Sequence, residues 1–248
     1  MNWLKSILSR KRPAEPPEWP VYAIGDIHGR KDLLDHLLDQ ISAHNGDRAA
    51  ELIFLGDYVD RGPDSCSVIE TLVSRPGDSQ FRWTFLKGNH EATLLDFLKD
   101  PSVGPAWFQY GGAETLMSYG VRPPLLKNDA AAWAAASEAF AQALPGTHAE
   151  FLRALESSAD RGGYMFVHAG VDPALPLDVQ EEKDLLWIRE AFLEDSRRLE
   201  RVIVHGHTPE PAPHRDARRI GVDTGAYQTG ILTAAVIDSA GVEFLSTS

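Results

Sequence analysis

Five short polar clusters interrupt otherwise apolar stretches of this chain: GDIHG at 25–29, GDYVDRG at 56–62, GNHE at 88–91, VHAG at 167–170 and HGHTP at 205–209. They supply Asp26, His28, Asp57, Asn89, His168 and His207, whose carboxylate, amide and imidazole groups all bind metals. Mixed oxygen and nitrogen donors suit a hard to borderline divalent ion, and this set exceeds what one ion needs with a position left open for water. Two ions sharing a carboxylate use the set economically. Each cluster alone is a weak signal, because an aspartate at a strand end often caps a helix and a histidine beside glycine often belongs to a turn. All five follow apolar segments and carry glycines that let backbone pass close to a ligand, so together they point to one site.

Such a site needs strand ends to carry it. In open α/β sheets the carboxyl ends of the strands form the crevice where ligands bind. An apolar strand over 21–24 precedes the first cluster, and Leu33, Leu34, Leu37, Leu38 and Ile41 then fall on one helical face. Strands over 51–55 and 81–86 precede the next two, with Val68, Ile69, Leu72 and Val73 marking a helix between them. Alternating strand and helix predict a parallel sheet covered on both faces. From about 100 to 160 strand signals fade, and an Ala-rich run around Trp133, Phe140 and Leu144 predicts a helical cap insert. Strands over 164–167, 202–204, 219–222, 232–237 and 242–245 are assigned to a second sheet. Residues 1–20 read as a flexible basic, Pro-rich tail, in which Trp3, Leu4, Ile7 and Leu8 have helical spacing before Arg10, Lys11 and Arg12. The main domain is then 21–248.

The 248 residues are 43% hydrophobic and 24% charged, a globular balance that excludes a disordered chain or a membrane bundle. A formal charge of -12 repels nucleic acid and anionic lipid at long range. The apolar part of the tail is too short for a signal peptide, and no long apolar run spans a bilayer. Cys66 is the single cysteine, so no intrachain disulfide forms and a reducing cytoplasm fits. Its place at a helix start is where a thiol pKa can fall, but no base is predicted beside it and packing is the expectation.

GDIHG, GDYVDRG, GNHE and HGHTP resemble the phosphoprotein phosphatase family of binuclear metallophosphoesterases, specifically its bacterial and phage members, over residues 21 to about 245. The resemblance implies an α/β, four-layer αββα sandwich of the calcineurin-like metallophosphoesterase type, with the site at the top of its two sheets. It implies Asp26, His28 and bridging Asp57 around one metal, and Asp57, Asn89, His168 and His207 around the other. Manganese is the usual ion, and iron, zinc or cobalt would suit the same donors.

Two divalent ions ~3.5–4 Å apart lower the pKa of a bridging water enough to supply hydroxide near neutral pH. A phosphate monoester then needs charge stabilised on its equatorial oxygens, and arginine grips two of them in a fork. Arg61 is the first candidate, with Asn89 beside the phosphate. Arg189 resembles the second arginine of bacterial relatives, the alternative being a surface pair with Glu190. An alkoxide leaving group needs a proton; His90 resembles the acid that gives it and Asp60 the carboxylate that pairs with that acid. Asp60 as a loop cap, and His90 as a ligand in place of Asn89, are the competing assignments. Glu91 is expected to brace its loop, and His205 to stand behind the ligands. His36, His44, His148 and His214 are expected at the surface. Gly111, Gly112, Thr115 and the SYG at 118–120 lie in the insert, shaping substrate entry or simply forming a turn.

The expected activity is hydrolysis of phosphoserine and phosphothreonine, with phosphotyrosine as a further candidate, in proteins or peptides, by direct attack of a metal-bridging hydroxide. The partner is thus a phosphorylated protein, with no nucleic acid and no stable membrane insertion, and the protein is expected to be a cytoplasmic monomer. The alternative is a diadenosine tetraphosphate hydrolase. Such enzymes typically lack the second acid of GDxVDRG and carry GNHD, so Asp60 and Glu91 favour the protein phosphatase. A silent phosphoprotein-binding module would have lost a ligand or the acid, and a nuclease would carry a basic, aromatic-studded stripe. Neither description fits this chain.

Overall fold

The computed structural model describes residues 14–78 and 80–247. Two five-stranded sheets stack face to face, each with helices on its outer side. The first has the order β10-β9-β1-β2-β3, built from β1 (Val21–Ile24), β2 (Ala50–Phe54), β3 (Phe81–Phe85), β9 (Thr233–Asp238) and β10 (Gly241–Ser246). The second has the order β4-β5-β6-β8-β7, from β4 (Ser158–Arg161), β5 (Tyr164–Val167), β6 (Val202–His205), β7 (His214–Arg215) and β8 (Arg219–Gly221). Strand alternation sorts the core. Val21 and Ala23 face the second sheet with Phe166, Val204 and Ile220, whereas Tyr22 and Ile24 face the helices with Leu52 and Phe54.

Two expectations need correction. The strands predicted over 232–237 and 242–245 join the first sheet, where β9 pairs antiparallel with β1 from Val21↔Ile237 to Ile24↔Ala234. The first sheet is therefore mixed, and so is the second, where β4–β5 and β7–β8 are antiparallel. The physical reason is that β9 is buried on both faces, so its residues carry no polar side to distinguish one sheet's centre from the other's. The inner face of each sheet is covered by the other sheet, and helices cover only the outer faces.

The helical layer on the first sheet contains α1 (Lys31–Asn45), α2 (Ser65–Ser74) and α3 (Asn89–Lys99), then α4 (Gly104–Trp107), α5 (Ala113–Ser118), α6 (Ala130–Ala143) and α7 (Gly146–Ala154). Trp107, Leu116, Trp133, Phe140 and Leu152 from this later stretch share one buried cluster with Tyr22 and Phe54. On the second sheet, α8 (Glu182–Trp187) and α9 (Glu190–Leu193) bury Leu185 and Phe192 against Met165, Val167 and Ile203.

The proposed amphipathic run at 3–8 and the basic Arg10–Arg12 lie outside the described residues. Residues 14–20 run from the second sheet to the first: Gly163 N–H donates to Glu15 O at 2.8 Å, Pro17 is buried, and Glu51 N–H donates to Pro20 O at 2.9 Å. His148 is not a surface residue. It is buried between the Tyr119 hydroxyl at 2.9 Å from Nδ1 and Glu70 at 3.0 Å from Nε2, three groups far apart in sequence. Among the described residues no helix is long and apolar enough to cross a membrane.

Candidate metal centre

The five clusters sit at the carboxyl ends of β1, β2, β3, β5 and β6. The loops after β1 and β2 are tied by their backbones, with Ile27 N–H and His28 N–H both donating to Asp57 O at 3.0 and 2.8 Å. Five non-glycine residues among those described have left-handed backbone, His28, Asp57, Asp60, Arg61 and His207, and all five lie in these loops. Each such conformation costs about 1–3 kcal/mol and persists only where its surroundings impose it.

Glu91 is a large part of that imposition. Its carboxylate, fully buried in the first turn of α3, accepts from the N–H groups of Asp57 (2.9 Å), Tyr58 (2.8 Å), Val59 (3.2 Å) and Gly88 (3.0 Å). Burial and then the nearby Asp57 push the Glu91 carboxyl up, and His90 and the N–H groups of Val59 and Gly88 pull it back down. Gly88 is required as well, since a Cβ there would lie 2.1 Å from Asp57 Oδ1.

Asp57 stands at the middle. Its Oδ2 faces His28 Nε2 at 3.6 Å and His90 Nε2 at 3.8 Å, while Oδ1 faces His168 Nε2 at 3.4 Å and accepts from His90 N–H at 3.1 Å. The two oxygens thus address two different groups of imidazoles: His28 with His90, and His168 with His207. Asn89 Oδ1 lies 2.8 Å from His168 Nε2 and 2.9 Å from His207 Nδ1, and those two nitrogens are 3.1 Å apart. Asp26 adjoins the centre, accepting His207 N–H at 3.1 Å. The six predicted donors are therefore brought to one place, all buried.

The donor chemistry fits divalent cations. His168 Nδ1 lies 2.8 Å from Leu55 O and His28 Nδ1 lies 2.9 Å from Val59 O, so each ring donates through Nδ1 and leaves its Nε2 lone pair bare toward Asp57. His207 Nε2 has no hydrogen-bond partner although buried. Burial lowers the pKa of His28 to about 3 and that of His168 below the usual value, which keeps both neutral, the form that ligates. Against its own burial, Asp57 is held well below the usual carboxylate range by His168, His90 and His28. Burial, then Asp223 and Asp57, push Asp26 well above that range, a pile-up of carboxylates that bound cations would relieve.

Beside this centre, His90 Nδ1 donates to Asp60 Oδ2 at 2.7 Å. Burial opposes the imidazolium, but Asp57 and the bond to Asp60 outweigh it and raise the pKa of His90 to about 9. Arg61 Nη2 is 3.3 Å from His90 Nε2, which sets the guanidinium and the outer edge of the ring beside one another. Arg189 is on the other flank, where it donates to Thr208 Oγ1 at 3.2 Å and its charge helps depress His207 and His168. No ion pair to Glu190 forms among the described residues. His205 turns away, its Nε2 3.2 Å from Arg219 Nη1. Cys66 is not activated: burial and then Glu70 raise its thiol pKa.

Several residues here escaped the sequence reading. Tyr227, in α10 (Ala226–Thr229), places its ring under Arg61 at 4.6 Å and edge-on to His28 at 5.3 Å. Asp223, buried with a carboxyl pushed up to about 6 mainly by burial, lies next to Asp26. Both follow β8, and the polar DTGAY at a strand end was the available signal. Trp107 reaches Asp60 from the helical stretch, where nothing local marks it; Thr115, expected to shape substrate entry or form a turn, also meets Asp60.

Comparison with known proteins agrees with this geometry. The chain is 37% identical over 92 residues to serine/threonine-protein phosphatase 2 of Escherichia coli K12, covering 37% of this chain and 38% of that protein. It is 36% identical over 93 residues to the serine/threonine-protein phosphatase SIT4 of Candida albicans, covering 37% and 30% of the two chains. These matches thus span little more than a third of the curated relatives at most. Among solved structures, a proposed diadenosine tetraphosphatase superposes with a TM-score of 0.63 at 24% identity, over 94% of this chain and 98% of that one. A protein serine/threonine phosphatase from Saccharomyces cerevisiae superposes with a TM-score of 0.57 at 17% identity, over 93% and 80%. At such identities the likeness is one of fold. The profile of the calcineurin-like phosphoesterases matches residues 20–234, nearly the whole described chain, and this protein belongs to that family.

Proposed function

We propose that this protein is a metal-dependent phosphoprotein phosphatase that hydrolyses phosphoserine and phosphothreonine monoesters. Asp26, His28 and Asp57 would hold one divalent cation, and Asp57, Asn89, His168 and His207 a second, manganese being the expected ion. Bound there, such a pair supplies charge for the phosphoryl oxygens and acidity for a shared water. Arg61 and Arg189, on opposite flanks, grip the phosphate with Asn89. His90 gives its Nε2 proton to the leaving oxygen, and Asp60 holds the ring by Nδ1–H.

The observation that carries this reading is the 2.7 Å bond between His90 and Asp60 with His90 Nε2 3.3 Å from Arg61. It sets a proton donor beside a phosphate grip. A serine alkoxide is strongly basic and needs that donor, worth ~10²–10⁴ in rate, whereas a departing nucleotide phosphate hardly needs it. The names of the Escherichia coli and Candida albicans relatives point the same way. The single thiol, Cys66, suits a reducing cytoplasm.

The test is a panel with manganese: phosphoserine, phosphothreonine and phosphotyrosine peptides beside diadenosine tetraphosphate. Preference for the phosphoserine and phosphothreonine peptides supports the reading. Exclusive cleavage of diadenosine tetraphosphate overturns it in favour of the dinucleoside polyphosphate hydrolase.

A further inference from the structure

Asp60 is completely buried and is gripped from the helical stretch that follows α3. Trp107, the last residue of α4, donates its indole Nε1–H to Asp60 Oδ2 at 2.7 Å, the same oxygen that accepts from His90 Nδ1. Thr115, in α5, donates its hydroxyl to Asp60 Oδ1 at 2.5 Å and accepts from Asp60 N–H at 2.9 Å. Between them Gly111, with a φ of 101°, offers its carbonyl to Arg61 N–H at 3.1 Å. Nine residues of helix and turn thus supply both donors to the Asp60 side chain apart from His90, and hold the backbone of Asp60 and Arg61 as well.

The chemistry of these donors constrains the carboxylate. An indole N–H can only donate, so its partner oxygen must accept. With Oδ2 shared between indole and imidazole and Oδ1 on the threonine hydroxyl, the plane of the carboxylate is defined by three hydrogen bonds of differing direction. Trp107 cannot drift: its ring lies 4.9 Å from that of Phe97 and 6.1 Å from that of Phe140. Gly112 closes the remaining side, where a Cβ would come within 2.4 Å of the indole. The angle of the His90 ring is therefore fixed through Asp60 by a rigid indole 47 residues further along the chain.

We propose that Trp107 and Thr115 are positioning residues for proton transfer by His90. They aim its Nε2 at the leaving oxygen without touching substrate, and the helical insert so controls which esters the site can cleave. This rests on the reading of His90 as the proton donor. A role confined to packing would slow all esters alike; a role in aiming the acid slows only those whose leaving group needs its proton.

The experiment compares kcat on a phosphoserine peptide, whose alkoxide requires protonation, with kcat on 4-nitrophenyl phosphate, whose phenolate does not. Trp107→Phe keeps a flat ring and removes the N–H. It is expected to lower the phosphoserine rate on the order of ten-fold, a fraction of the ~10²–10⁴ available from the acid, and the nitrophenyl rate by less than about two-fold. Thr115→Val should show the same split and Thr115→Ser, which keeps the hydroxyl, should reverse it. Adding Trp107→Phe to Asp60→Asn should leave the ratio of the two rates where Asp60→Asn alone puts it. Equal losses on both substrates, failure of serine to rescue at position 115, or a further fall of the ratio in the double variant overturns the proposal. If Trp107→Phe does not fold, the Thr115 pair decides. His90→Asn separates the two levels of inference: a split in His90→Asn without one in the Trp107 and Thr115 variants removes the positioning role alone. No split in His90→Asn removes the donor and this proposal together.

Discussion

Glu91→Gln changes one atom of a side chain that meets only backbone N–H groups, yet it should cost a large part of the fold's stability. Oε1 accepts from Tyr58 and Val59, Oε2 from Asp57 and Gly88, all through buried backbone N–H groups. Glutamine turns either oxygen into an NH2 group, which faces two donors and satisfies neither. Each orphaned buried donor costs about 1–3 kcal/mol, so the pair gives ~2–6 kcal/mol, against a typical domain stability of ~5–15 kcal/mol. The loop released begins at the left-handed Asp57, whose N–H is one of the four donors, and leads on to the left-handed Asp60 and Arg61. Urea unfolding of metal-free protein, followed by tryptophan fluorescence, should show a midpoint lowered in proportion. Manganese should restore part of the loss by binding only the folded state. A change below ~1 kcal/mol in the metal-free protein would mean that the four N–H groups find other partners, and the account of Glu91 as the brace of this loop would be wrong.

Exhaustive chelation should abolish phosphatase activity and manganese should return it; activity retained in demetallated protein refutes the two-cation reading. Gly111→Ala puts a Cβ 2.4 Å from Arg61 N in a left-handed turn, and the displaced guanidinium should cost kcat/KM about 10²-fold, measured on any monoester; unchanged kinetics would show that Arg61 does not depend on that turn. Glu51 lies buried under Arg161, which donates to it at 2.6 Å through Nε, and Thr84 at 2.7 Å. Burial alone would raise this carboxyl, but Arg161 and Thr84 bring it below its ordinary value. On acidification the unfolded chain therefore takes up the proton first, so the stability contributed by Glu51 is present above ~4.3 and fades below it. Urea midpoints at pH 7 and pH 4 should converge for Glu51→Gln and differ more for the native chain; parallel shifts would exclude this pair as an acid-labile element.

What could be read in advance follows from what local sequence encodes. Metal donors must stand at strand ends with glycine beside them, and that combination is visible over a handful of residues, as in GDIHG and GNHE. β1, VYAI, and β5, YMFV, were legible for the related reason that a strand buried on both faces is an unbroken apolar run, whereas β3, FRWTF, was legible from its aromatic residues at every second position. Burial on both faces also hid the partner of β9: Ala234, Ala235 and Val236 fit the centre of either sheet, and only pairing with β1 decides. β4, SADR, and β7, HR, are short and polar and carry no strand pattern at all. Trp107 looked like one more core aromatic because its one polar atom meets Asp60 across 47 residues of chain. His148 likewise gains its burial from Tyr119 and Glu70, neither of which is near it in sequence.

The position of β1 between β2 and β9 has a consequence for biosynthesis. As the polypeptide leaves the ribosome, VYAI can pair at once with β2, but its other edge stays bare until residue 238 has emerged, more than two hundred residues later. An apolar edge open for that long invites pairing with a neighbouring nascent chain. Premature termination before β9 would leave that invitation permanent, so truncated products should accumulate as insoluble material rather than as a smaller, partly working enzyme.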